Sequence, residues 1–465
     1  MAVTYHGGFM ALDRTVPPRD STGRVDTGTD KSSAIPPYAW RLVALFAAAN
    51  VLNIYDRALP TIVAESIKAE FALTDTQLGL LMSGFTVVYA VAGIALGRMA
   101  DRRSRRLVMA VGLVVWSLLT AASGGAWSFA SLLIFRLGVG VGEASYAPAA
   151  NATVFDMFPV EKRSRATAVL QLGVPLGLLL AFFTTGPLVE AFGTWRAPFY
   201  LAAIPGLVLA ALLLITPMPE QPRATAQQRE HERGARVFWT LARIPTMWWL
   251  ILAGIGLQIA SYSIATFLVP LLQRYFGLSL SEAGTGAGLV TGVAGLIGLL
   301  LAGPIADRAR RRSSAARLSV AAIGMAVAVP FAFAAFGLPP SSAVMFIVLL
   351  SCASVLLNMV QPVALPAVSE IVAPRLRASA VAIYFAAFYL LGGAFGPLLT
   401  GALSEHFAAS ATATATAEIS ASAAGLHTSM AWLLPLSCLL GALGIAGAMT
   451  TIERDTRTAA RSEAA

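Results

Sequence analysis

The sequence predicts an all-α membrane protein with twelve transmembrane helices in two six-helix bundles. Three observations carry that reading. The 465 residues are 57% hydrophobic and only 12% charged, with mean hydropathy +0.72, where a soluble protein has roughly 25% charged residues. Twelve apolar stretches are each long enough for the roughly 20 residues that cross a bilayer. Finally, 28 of the 33 basic residues fall in the N-terminal tail with Arg41, the even-to-odd connections and the C-terminal tail. The other five are Arg57, Lys68, Arg136, Arg196 and Arg274. By the positive-inside rule both termini are then cytoplasmic.

Residues 1–38 read as a polar cytoplasmic tail without the apolar core of a signal peptide, so the first span is expected to direct insertion. The spans are expected at 39–63, 75–99, 106–127, 129–157, 164–190 and 194–216, forming the first bundle (39–216). A charged cytoplasmic linker, 217–246, separates it from spans at 247–275, 280–306, 314–336, 341–371, 376–404 and 428–452, the second bundle (247–452). A cytoplasmic tail, 453–465, ends the chain. The Ala/Thr/Ser-rich connection before the last span is expected to lie outside and to carry no chemistry.

The halves repeat. Gly97-Arg-Met-Ala-Asp101-Arg102-Arg-Ser-Arg-Arg106 after span two returns 206 residues later as Gly303-Pro-Ile-Ala-Asp307-Arg308-Ala-Arg-Arg-Arg312 after span eight. Arg163-Ser-Arg165-Ala-Thr-Ala168 returns 212 residues later as Arg375-Leu-Arg377-Ala-Ser-Ala380. Near-equal offsets on one side of the membrane indicate duplication about an axis along the membrane normal. Paired in this way, Asp101, Arg102, Arg106, Asp307 and Arg308 are candidates for a cytoplasmic gate.

Inside the apolar spans, ionisable groups are costly and mark function. Span four carries Arg136-Leu-Gly-Val-Gly-Val-Gly-Glu143-Ala-Ser-Tyr146. Arg136 and Glu143, seven residues apart, leave one helix face about 10 Å apart in height. Gly138 and Gly142 make a small stripe against which another helix can pack closely. A dinucleotide loop is excluded, since neither the preceding strand nor the polar turn is present. In span one, Asp56 stands at the depth of Arg136, which suggests an ion pair between them. Glu143 then lies deeper with no basic partner evident. A lone carboxyl in low dielectric takes up a proton easily, so Asp56 and Glu143 are the proton-coupling candidates and Arg57 and Arg136 the charge-pair and substrate candidates. The second half offers only uncharged polar groups within spans, among them Gln258, Tyr262, Asn358, Gln361 and Tyr384. With Tyr146 they are the candidates to line a cavity that is ionic on one side and apolar on the other.

These features resemble the major facilitator superfamily: two six-span halves, GxxxADRxxRR loops after spans two and eight, and Arg-x3-Gly-x-Gly in span four. Within it, Asn53-Ile-Tyr-Asp56-Arg57 together with Arg136 to Tyr146 resembles the spinster family. Ser104 stands where the superfamily loop has glycine, and Ile54 where the spinster motif has tyrosine. The resemblance implies the major facilitator fold and alternating access. It also implies a lipid-like anionic substrate such as a lysophospholipid or sphingoid phosphate, on a fold that also hosts organic anions, sugars and drugs.

Other classes fit less well. Gly23-x4-Gly28 is not followed by Lys-Ser/Thr, so no phosphate loop and no cofactor is expected, and a proton gradient is the expected engine. His6, His231, His406 and His427 read as tail and loop residues, and Cys352 and Cys438 lack metal-ligand spacing, so no metal site is expected. An intramembrane enzyme would need a nucleophile and base, for which Ser145 near Glu143 is the nearest approach. A receptor would need a further domain. The expected partners are a small-molecule or lipid-like substrate, protons and membrane lipids, with no nucleic acid. The chain is expected to be a monomer in a bacterial inner membrane.

Overall fold

The structure, a computed structural model, describes residues 37–219, 239–373, 376–411 and 419–464. Most of the predicted tail 1–38 and linker 217–246 lies outside the described residues. Eleven helices among those described are long and apolar enough to cross a membrane. They are spans one to three (Ala39–Ile62, Asp75–Gly97, Arg105–Gly124), five and six (Arg165–Phe192, Ala197–Ile215), and seven to twelve (Pro245–Arg274, Leu280–Arg310, Ser314–Phe336, Pro340–Glu370, Ser379–Ser410, Ala421–Ala459). Span four makes the twelfth crossing in two pieces, Phe129–Ala144 and Tyr146–Met157. It breaks at Ser145, whose hydroxyl donates to the Gly142 carbonyl at 2.7 Å. Pro148 sits in the first turn of the second piece, where its missing N–H leaves no hydrogen bond unmade within that piece but prevents continuation of the first.

The stripe predicted in span four meets span three. A Cβ on Gly142 would fall 2.8 Å from the Trp116 Cβ and 2.9 Å from its backbone nitrogen, so only glycine permits this approach.

Three details differ from the sequence reading. A short helix, Ala64–Phe71, follows span one and buries Ala64 and Ile67. The last helix runs unbroken from Ala421 to Ala464, so the predicted tail is helical. Asp455 fixes it there, accepting hydrogen bonds from the Thr246 backbone N–H (3.1 Å) and hydroxyl (2.7 Å) and thereby capping the start of span seven. His427 consequently lies inside span twelve, not in a loop, with its ring stacked 4.1 Å from Tyr275.

With an even number of crossings between them, the start of span one and the end of span twelve lie on one face, here the terminal face; the opposite one is the far face. Apolar packing is arranged accordingly. One core, with Leu42, Phe46, Leu113, Trp116 and Val154, is confined to the first half. The other fills the second half and continues into the far part of the first through Leu59, Ile62, Leu78, Phe182 and Phe199. The bundles are thus packed together toward the far face.

Candidate functional site

Spans one and four are antiparallel, and every helical Cα–Cβ bond tilts toward its own N-terminus. Arg57 therefore leans toward the terminal face and Glu143 toward the far face, and they converge. Arg57 Nε donates to Glu143 Oε2 at 2.7 Å, with the Glu143 side chain fully buried and that of Arg57 23% exposed. Glu143 is not the lone carboxyl that the sequence suggested. The arginine that reaches it is the neighbour of the predicted aspartate.

The expected Asp56–Arg136 ion pair is likewise replaced. Arg136 Nη2 donates to the backbone carbonyl of Asp56 at 3.1 Å. Helix carbonyls point toward the C-terminus, which for span one is the far face, the direction in which Arg136 also leans. The Asp56 carboxylate leans the other way and accepts from the Thr120 hydroxyl at 3.3 Å. Both residues are buried. Equal depth was read correctly, but the hydrogen bond goes to the main chain.

Arg57 faces a cavity of about 520 Å³ between the bundles. Its guanidinium carbon lies 4.0 Å from the Tyr89 ring centroid and 5.4 Å from that of Phe85, and Arg136 stands 5.4 Å from Phe85 on the buried side. Two aromatic rings thus flank the cation. Of the predicted cavity residues, Tyr262 and Asn358 line the space. Tyr146, Gln258, Gln361 and Tyr384 are not in the lining. The Tyr146 hydroxyl donates to the Phe46 carbonyl, Gln258 is buried, Gln361 is half-buried, and Tyr384 packs 4.7 Å from Phe388.

Asn50, Thr86, Tyr89, Gln171 and Thr291, which the sequence does not single out, also line the cavity, as do Ser261 and Tyr389. A signal existed for span two: Met82, Phe85, Thr86 and Tyr89 recur at i, i+3, i+4 and i+7, one helix face. Thr291 and Tyr389 had no such signal. They sit in single π-helical turns, Gly288–Val293 and Tyr389–Gly393, which shift the side-chain phase and recur at functional sites.

Of the predicted gate residues with described side chains, none forms an ion pair across the bundles among the described residues. Asp307 and Arg308 are exposed, and Arg106 donates to the Leu214 carbonyl of its own bundle at 3.4 Å. The side chains of Asp101 and Arg102 lie outside the described residues. No group of three or more His, Cys, Asp or Glu able to hold a metal occurs among the described residues.

The family model of the Major Facilitator Superfamily matches residues 46–397 and 251–437. The chain belongs to the major facilitator superfamily. Within the superfamily it is similar to an MFS-type efflux pump of Mycolicibacterium smegmatis, 34% identical over 80% of this chain and 85% of that protein. It is similar to Protein spinster homolog 1 of Bos taurus, at 28% over 97% and 87%. Sphingosine-1-phosphate transporter SPNS2 of Xenopus tropicalis is 26% identical over 83% and 79%. Among solved structures, a bacterial homolog to the human lysosomal transporter Spinster, inward-facing and unoccupied, superposes with a TM-score of 0.75 at 27% identity, over 92% of this chain and 99% of that one. This superfamily member is thus an integral membrane transporter that resembles the spinster family, and not an enzyme.

Proposed function

We propose that this protein is a proton-coupled secondary transporter of an anionic amphipath, working by alternating access, with both termini cytoplasmic in a bacterial inner membrane. The observation that carries the reading is the Arg57–Glu143 pair, with the cation at the cavity surface and the carboxylate behind it. An anionic head group entering the cavity competes with Glu143 for Arg57. Once Arg57 turns to the head group, Glu143 is left as an uncompensated buried carboxylate, and taking up a proton relieves that cost. Release of the head group reverses the exchange. Asp56, buried beside Arg136, is the second proton-coupling candidate. Arg136 holds the span-one backbone in register.

Tyr89, Tyr262, Tyr389 and Asn53 line the same space as Arg57, together with the apolar Ile54, Val174, Leu178, Phe182 and Leu357. A charged head on the first group and an aliphatic tail along the second match that mixed lining. The names of the spinster-type relatives, one of them a sphingosine-1-phosphate transporter, support a phosphate-bearing lipid over a sugar. On the terminal face, Asp101, Arg102, Arg106, Asp307 and Arg308 are proposed to meet only when that face closes.

Thermal-shift titration tests the substrate class, because a ligand of the native state raises the melting temperature with concentration. A sphingoid phosphate or lysophospholipid should do so and a sugar should not. A shift with sugars alone would overturn the lipid reading.

A further inference from the structure

A second ionic cluster lies at the far face, away from the cavity. Asp75 opens span two and is 2% exposed. Its Oδ1 accepts from Lys68 at 2.6 Å, and its Oδ2 accepts from Arg274 at 2.8 Å and from the Ser404 hydroxyl at 2.6 Å. Arg274, the last residue of span seven, also pairs with Glu65 and donates to the Ser422 hydroxyl at 3.2 Å. Glu405 accepts the Thr76 backbone N–H at 2.7 Å, so the first turn of span two is capped from span eleven. The helices touch closely here: a Cβ on Gly401 would fall 2.6 Å from the Asp75 carbonyl carbon.

We propose that Asp75 and Arg274 form the latch that closes the far end of the transport path. Asp75 and Glu65 belong to the first bundle and Arg274 to the second, so opening the far face must separate them. The cluster is built for separation. Asp75 keeps Lys68, and Arg274 keeps Ser422, each from its own bundle. An apolar seal of the same size would expose its surface to water on opening, at about 25 cal/mol per Å². Charged partners instead regain hydration as they part, which offsets much of the lost attraction. The closed and open forms can then lie close in free energy, as a transporter requires.

The inference rests on the alternating-access reading, and the test separates the two. In oriented vesicles, with Cys352 and Cys438 replaced by serine, Thr61→Cys and Gln171→Cys report access to the cavity toward the far and terminal faces. The probe is a membrane-impermeant maleimide. Asp75→Asn and Arg274→Gln should each raise far-side labelling of Thr61→Cys several-fold. The double variant should add little, and Arg274→Lys should stay near the parent even if the harsher variants fold poorly. If the parent is labelled from both faces and none of the variants changes the ratio, the latch is wrong. If Thr61→Cys is never reached from the far face while Gln171→Cys is labelled from the terminal face, alternating access itself fails.

Discussion

Arg57 and Arg136 carry the same charge on neighbouring helices, yet one holds a carboxylate and the other a main-chain carbonyl. That difference is measurable. Removing one partner of a buried ion pair typically costs about 3–5 kcal/mol because the other charge stays behind. Arg57→Gln and Glu143→Gln should each lower the melting temperature, with the double variant recovering a large part of the loss. For Asp56→Asn and Arg136→Gln the cycle should be much closer to additive, since the asparagine keeps the carbonyl that Arg136 uses. Equal coupling in both cycles would reverse this assignment. The charged residues themselves were legible in the sequence because ions in apolar spans are conspicuous. Their pairing was not, because depth counted from span ends ignores the direction in which each side chain leans.

Single helices show the same division between what local pattern specifies and what tertiary contact adds. Hydropathy alone located all twelve crossings, and small residues marked the face of span four that span three touches. The Ala64–Phe71 helix and the extension to Ala464 escaped notice because their hydropathy is weak and they are held by burial of Ile67 and by Asp455 on Thr246. The two π-helical turns were also illegible, since they alter phase without changing composition. The glycine stripe yields a prediction at this scale. Gly142→Leu places a side chain against the backbone of Trp116, and overpacking of this kind costs about 1–3 kcal/mol or more. The melting temperature should fall and transport should be lost, whereas an unchanged melting temperature would mean that spans three and four can separate freely there.

Across the whole molecule, the duplication read from the GxxxADRxxRR loops underlies two bundles that share an apolar core toward the far face and enclose a cavity whose lining includes Gln171, six residues into span five. In this form Asp307 is exposed. If it closes the terminal gate only in the opposite form, Asp307→Asn should favour access from the terminal face, read as increased labelling of Gln171→Cys from that side; identical labelling would leave the loop charge a determinant of topology. The exchange of Arg57 between Glu143 and an anionic head group is tested most directly by proton uptake. Purified protein in weakly buffered detergent, with a pH-sensitive dye, is titrated with a sphingoid phosphate held at the same starting pH. Binding should draw about one proton per ligand from solution in the parent protein and none in Glu143→Gln, which still binds. Equal proton uptake by both proteins, or saturable binding to the parent without any uptake, would contradict the exchange.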